Sequence, residues 1–132
     1  DELSELLQYF QRYARPLCTT AGVSFISQLS AALKPIILSP EQRRTIYLIL
    51  KEGLANVLRH ANCSQVEFSC TFQNHVIDLS LRDDGQGFDL KTVNGGHGLA
   101  NMKMRAQTIG ANLLITSQPG KGTVIRLQLR MT

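Results

Sequence analysis

Between residues 40 and 84 the apolar residues change their period, and that change limits most strongly what the chain can fold into. From Pro40 to Ala61 they recur at steps of three and four, so Ile46, Leu50, Leu54, Val57 and Leu58 share one side of an α-helix. From Ser64 onward they alternate: Val66, Phe68, Cys70 and Phe72, then Ile77, Leu79 and Leu81. Alternation of this kind marks two strands with one buried face, and Asn74-His75 between them reads as a hairpin turn. The start of the helix is also legible. Ser39 is a good N-cap, Pro40 suits the first helical position, and Gln42 stands where the third residue of a capping box reaches back. Asn62 is the expected stop.

The flanking segments extend the pattern. Residues 3–15 have helical spacing, with Leu3, Leu6, Leu7 and Phe10 on one face, and Pro16 is expected to end that helix. Residues 22–30 alternate less cleanly through Val23, Phe25 and Leu29 and read as a strand. A second amphipathic helix near 98–109 carries Leu99, Met102 and Ala106, with Gly110 as its cap. Residues 112–117 and 123–130 form a last pair of strands around the turn "QPGKG". The order helix, strand, helix, two strands, glycine loop, helix, two strands predicts an α+β fold. The expected architecture is a two-layer sandwich, one mixed and mostly antiparallel sheet with helices on one face. A chain of 132 residues can bury one core but not two.

Composition excludes several functions. Fourteen Lys and Arg against ten Asp and Glu leave a formal charge of +4, but only Arg43 and Arg44 are adjacent. Scattered positive charge is not a nucleic-acid stripe, so no nucleic acid is expected as partner. Cys18, Cys63 and Cys70 have no metal-ligand spacing and read as buried free thiols of a reducing, cytoplasmic protein. No apolar run has the length of a membrane span, so this domain is expected to make no membrane contact. The chain opens on Asp1-Glu2 and is expected to be a piece cut from a longer protein.

Four local patterns carry chemistry. On the long helix, Glu52, Asn56 and His60 lie at i, i+4 and i+8, with Arg59 one turn after Asn56, so one face bears a carboxylate, an amide, a guanidinium and an imidazole. That face is either a solvated surface or a binding face. Gly53, which costs about 1 kcal/mol against Ala in mid-helix, points to a close approach on that face. "RDDGQGF" ends a strand in two aspartates and two glycines, which is either an Asp-Gly turn or a loop that lets a ligand reach the backbone. "NGGHGLANM" brings glycines to a helix N-terminus, where free N–H groups can seat phosphate. "PGKGT" alone is a hairpin turn.

In combination these motifs are far more specific. Glu-x-x-x-Asn-x-x-x-His-Ala on a helix is followed by Asp-x-Gly-x-Gly-Phe after a strand. Gly-x-Gly-Leu-x-x-Met-x-x-Arg then opens a helix, and Gly-x-Gly-Thr lies between strands. This order resembles the ATP-binding domain of sensor histidine kinases, within the superfamily of gyrase, Hsp90, histidine-kinase and mismatch-repair ATPases. The details look most like the nitrate-sensor and lipid-fluidity-sensor branch. "KEGLANVLRHANCSQVEFSC" is similar to the N box, "RDDGQGF" to the first glycine box, and "GGHGLANMKMRAQTIGANLLITSQPGKGTVIRLQL" to the second glycine box and the last strands. The resemblance spans about residues 20–130.

The resemblance implies a site residue by residue. Asp83 takes the position that binds adenine, and Asp84 falls on the variable position as a tolerated, solvent-facing neighbour. Asn56 matches the asparagine that holds Mg²⁺ between the ATP phosphates. Arg59 takes the position of a phosphate-binding cation and His60 that of a ring beside the nucleotide. Glu52 would orient a Mg²⁺-bound water or assist as base. Gly85 and Gly87 would let backbone approach the nucleotide. Residues 89–96 would form a short lid. Gly96, His97, Gly98 and Leu99 would donate amides to the phosphates, and Thr123 would sit near the adenine edge.

None of His60, His75 and His97 is followed by an acidic residue, as the family's phosphorylated histidine is. The resemblance therefore implies a catalytic domain, residues 17–132, that uses ATP and Mg²⁺ to phosphorylate a histidine carried elsewhere. Residues 1–16 would be a helical tail or linker from an upstream acceptor-helix domain. The full-length protein would be a homodimer with a response regulator as partner, cytoplasmic at this domain even if anchored in a membrane. The other readings are an anti-sigma-type serine kinase of the same fold and a non-catalytic nucleotide-binding module.

Overall fold

The computed structural model describes residues 2–30, 35–60, 62–87 and 97–132. Three helices and five strands follow in the order α1 (Leu3–Ala21), β1 (Ser24–Leu29), α2 (Pro40–His60), β2 (Gln65–Gln73), β3 (Val76–Asp83), α3 (His97–Thr108), β4 (Asn112–Ser117) and β5 (Thr123–Arg130). The strands make one sheet in the order β1-β2-β3-β5-β4. β1 runs parallel to β2, and every other pair is antiparallel. A parallel pair needs a crossover of a dozen or more residues, which α2 supplies. The expected sandwich is therefore present, with a single parallel pairing at one edge.

Alternation sends one residue in two to the core. The register stacks Phe68 beside Leu81, Leu81 beside Ile125, and Ile125 beside Ile115 across β2, β3, β5 and β4. A second row runs Cys70, Leu79, Leu127 and Leu113 in the same way. All three helices add to the same hydrophobic cluster: Leu6 and Phe10 from α1, Ile46, Ile49 and Leu54 from α2, Met102 and Ala106 from α3. Phe10 meets Phe68 edge-on at 4.9 Å between ring centroids, which fixes α1 over β2. The other face of the sheet is polar. There the Arg126 guanidinium donates three hydrogen bonds to the Asp78 carboxylate, at 2.9, 3.2 and 2.6 Å.

Local signals explain the element ends. The Ser39–Gln42 capping box forms in both directions: the Gln42 N–H donates to Ser39 Oγ at 3.0 Å, and the Ser39 N–H donates to Gln42 Oε1 at 2.9 Å. Asn74 and His75 both take positive φ, +53° and +65°, as a two-residue hairpin turn with right-handed strand twist requires. Pro16 does not end α1. The helix continues to Ala21 and stops at Gly22, where φ is +75°. The buried stripe explains why: Phe10, Ala14 and Cys18 keep a step of four across the proline. Pro16 itself is exposed, so the hydrogen bond it removes faces water. The division expected at residue 16 accordingly falls inside one continuous helix. Cys18, Cys63 and Cys70 are free thiols; Cys18 and Cys70 are buried and Cys63 half-buried. Burial pushes the Cys70 thiol up to about 12, which makes it unreactive at neutral pH.

Candidate functional site

β3 delivers Asp83 to the inner face of the sheet at its last position, between Val66 of β2 and Thr123 of β5. The residue is 4% exposed. Its Oδ1 accepts the Gly85 N–H at 2.9 Å. Its Oδ2 is buried and has no hydrogen-bond partner among the described residues. Burial raises the Asp83 pKa above the ordinary carboxylate value, opposed by backbone N–H groups at Gly85 and Thr123 and reinforced by the negative charge of Asp84. A buried carboxylate oxygen without a donor is costly, and native proteins keep such atoms for a reason. Beside it, Thr123 is also buried and its Oγ1 shares a hydrogen bond with Ser117 Oγ at 2.8 Å. Sequence reasoning missed Ser117. The alternation Leu113, Ile115, Ser117 was the signal that places this hydroxyl on the inner face.

Asp84 is exposed, as expected, but it is not idle. Its Oδ1 accepts the N–H groups of Ser64 and Gln65 at 2.9 and 3.0 Å, and its Oδ2 accepts Ser64 Oγ at 2.5 Å. These bonds, led by the Ser64 hydroxyl, hold its pKa below the usual carboxylate range. The two aspartates thus divide the work. Asp83 turns inward with one oxygen unused, while Asp84 fastens the start of β2 to the end of β3.

On α2 the polar face assembles as its spacing predicts. An Arg59 Nη donates to Asn56 Oδ1 at 2.8 Å and lies 3.9 Å from a Glu52 carboxylate oxygen. Both charged side chains are largely solvated, so the pair adds little stability. His60 is exposed at the end of the helix, and its carbonyl accepts the Gln86 side-chain amide at 2.7 Å. Gly53 corrects an expectation. It is buried, and a Cβ there would lie 3.1 Å from Ile125 Cδ1 and 3.3 Å from Leu81 Cδ1. The close approach that requires glycine is therefore the sheet beneath α2. With its middle seated on β3 and β5 and its end held by Gln86, α2 runs alongside the loop that follows Asp83.

That loop interlocks with the β4–β5 turn. Gly87 has φ +65°, and a side chain there would strike the Gln118 carbonyl. Gly122 has φ +75°, and a side chain there would strike the Asp83 carbonyl. The Gly120 N–H donates to the Gln86 carbonyl at 2.5 Å. Gly85 is buried beside Asp83. The glycines of "DDGQG" and "PGKGT" thus first serve each other. His97 and Gly98 begin α3, and the Leu99 side chain packs against the core. Gly96 and the expected lid at 89–96 lie outside the described residues. Among the described residues no group of three or more His, Cys, Asp and Glu could hold a metal ion. A cation at Asn56 would take its other ligands from a bound molecule and water. The amide oxygen has a second lone pair beside the one Arg59 uses, so the residue present fits that task.

The chain is similar to known proteins in sequence and in fold. Residues 41–132 match the family model described as histidine kinase-, DNA gyrase B-, and HSP90-like ATPase. The chain is 31% identical over 105 residues to the signal transduction histidine-protein kinase/phosphatase UhpB of Salmonella typhimurium, a match covering 80% of this chain and 21% of that protein. It is 35% identical over 85 residues to the sensor histidine kinase LiaS of Bacillus subtilis, covering 64% and 24%. The chain thus spans under a quarter of the length of these relatives. Among solved structures, the Acinetobacter baumannii histidine kinase AdeS superposes with a TM-score of 0.80 at 16% identity, covering 99% of this chain and 66% of that one. The histidine kinase domain of the blue-light activated kinase of Erythrobacter litoralis superposes with a TM-score of 0.77 at 20% identity, covering 95% and 60%. At these identities the superpositions establish a shared fold.

Proposed function

The chain belongs to the family of histidine kinase-, DNA gyrase B-, and HSP90-like ATPases, and on that footing we propose that it transfers the γ-phosphoryl group of ATP to a histidine on an acceptor-helix domain of a two-component sensor kinase. The observation that carries the proposal is Asp83 Oδ2, buried and without a donor among the described residues. The adenine N6 amino group is a donor of the required kind, whereas guanine offers an acceptor at that edge. Selectivity for ATP over GTP follows, because guanine would set two acceptors face to face.

The remaining roles complete the reading. Thr123 would lie by the adenine edge, and Gly85 and Gly87 would bring backbone to the nucleotide. Asn56 would ligate Mg²⁺ and Arg59 would meet phosphate, with His60 beside the nucleotide. Gly96, His97, Gly98 and Leu99 would supply amides to the phosphates. Glu52 would orient water on the metal or assist as base. Bound Mg²⁺ would supply charge neutralisation at the phosphates, which with positioning is most of what phosphoryl transfer needs. The motif details favour the nitrate-sensor and lipid-fluidity-sensor branch. The acceptor domain would join at the α1 end of the chain, in a dimeric parent that recruits a response regulator on the cytoplasmic side of a membrane. No described helix here is long and apolar enough to cross one.

The direct test is thermal denaturation of this domain with nucleotides. Mg-ATP is expected to raise the melting temperature and Mg-GTP to leave it unchanged. Equal stabilisation by the two, or none by ATP, would sink the adenine assignment.

A further inference from the structure

Gln86 stands between the two glycines of the loop, and the nucleotide roles above do not include it. It is nevertheless where three parts of the site meet. Its Nε2 donates to the His60 carbonyl at the end of α2, 2.7 Å away. Its own carbonyl accepts the Gly120 N–H of the β4–β5 turn at 2.5 Å. One residue before it, the Gly85 N–H donates to Asp83 Oδ1. On one side of Gln86 lies the buried carboxylate; on the other lies the end of α2, whose last two turns carry Asn56, Arg59 and His60.

The last four carbonyls of an α-helix have no partner within the helix. His60 contributes one of them, and Gln86 caps it from another segment of the chain. A helix is stiff over a single turn, so fixing the His60 carbonyl also fixes how far Asn56 and Arg59 stand from Asp83. Other contacts hold the middle of α2 down on the sheet through Gly53, Leu81 and Ile125. Leu54 and Val57 continue that seating toward the end of the helix, and the Gln86 amide adds the tie between the helix end and the loop.

We propose that Gln86 is a positioning residue that sets the distance between the adenine-binding carboxylate and the phosphate- and metal-binding face of α2. The inference rests on the nucleotide reading above. It follows that Gln86 matters for ligands that span both halves of the site and not for ligands that fill only one. Adenosine reaches Asp83 alone. Mg-ATP must satisfy Asp83 and the α2 face together.

The test compares Kd for adenosine and for Mg-ATP in the wild-type domain and in Gln86→Met, Gln86→Glu and Gln86→Lys, by calorimetric titration. Met keeps the length and removes the donor, Glu sets an acceptor against the carbonyl, and Lys restores a donor that suits a helix C-terminus. The expected result is a loss of about fivefold in Mg-ATP affinity for Gln86→Met, the scale of one hydrogen bond, and a larger loss for Gln86→Glu. Adenosine affinity should stay within about twofold, and Gln86→Lys should recover Mg-ATP binding. A purely structural cap would move both affinities together, so an unchanged Mg-ATP to adenosine ratio overturns the proposal, as does a Lys variant no better than Met. If Gln86→Glu does not fold, the Met and Lys pair decides alone. Wild-type domain that binds neither ligand overturns the nucleotide reading and this inference with it; wild-type binding with an unmoved ratio overturns this inference only.

Discussion

Asp83 stores a conflict between folding and binding. Its pKa is raised because burial disfavours the charge, so the folded state holds its proton more tightly than the unfolded chain does. In the window between the ordinary carboxylate pKa and the raised one, the native state binds more protons, and stability falls as pH rises. Above the raised pKa the whole cost is present. Asp83→Asn removes the charge and is expected to raise the melting temperature of the ligand-free domain at neutral pH, with the advantage fading as pH drops through that window. The same substitution should abolish the stabilisation by Mg-ATP. Melting curves of the two proteins from pH 4 to 8, with and without nucleotide, check both halves; a variant that still gains from ATP removes Asp83 from the adenine site. Residues of this kind were only partly legible in the sequence. "DDGQG" marked the loop, but the choice of Asp83 over Asp84 rested on the resemblance; that Asp83 turns inward follows from strand parity, which carries the buried row Ile77, Leu79, Leu81 on to it. The grip of Asp84 on Ser64 and Gln65 was not legible, because those partners lie some twenty residues away and meet it only through the β2–β3 pairing.

At the scale of elements, α2 shows why local signals succeed where the partner is near in sequence and fail where it is remote. Its capping box was readable because Ser39 and Gln42 are three residues apart, and both bonds form. Ser39→Ala is expected to cost about 1 kcal/mol in urea unfolding. Gly53 was misassigned to the ligand face because the sequence does not say which neighbour crowds a glycine; Leu81 and Ile125 do. Gly53→Val would push branched methyls into those two side chains and is expected to destabilise the domain by about 1–3 kcal/mol. An unfolding midpoint equal to wild type would show that α2 does not rest on the sheet there. Pro16 is the complementary case. The rule that proline ends helices is local, and here the buried step Phe10, Ala14, Cys18 outweighs the loss of one solvent-facing hydrogen bond.

For the molecule as a whole, layer order follows from periodicity, but strand order does not. Nothing in residues 22–30 announced that β1 would pair in parallel with β2, because that pairing is made by the crossover through α2 and by the packing of Phe10 against Phe25 and Phe68. The consequence for function is that the buried carboxylate of Asp83, the polar face of α2 and the glycine turn come from segments up to about seventy residues apart and come together only in the folded sheet. On the proposed reading such a site would bind and position ATP, and no histidine in this chain has the acidic neighbour of a phosphate acceptor. If the proposal holds, phosphoryl transfer would need an acceptor outside this chain and should be recoverable by mixing. Incubation of this domain with the acceptor helices of its own parent protein and γ-labelled ATP is expected to place acid-labile, alkali-stable label on histidine of the acceptor, and Asn56→Ala should reduce it by at least tenfold, the order expected when a charge-positioning group is lost. Acid-stable label on serine would instead assign the fold to a serine kinase. Absence of transfer with intact Mg-ATP binding would leave a nucleotide-sensing module in place of a kinase.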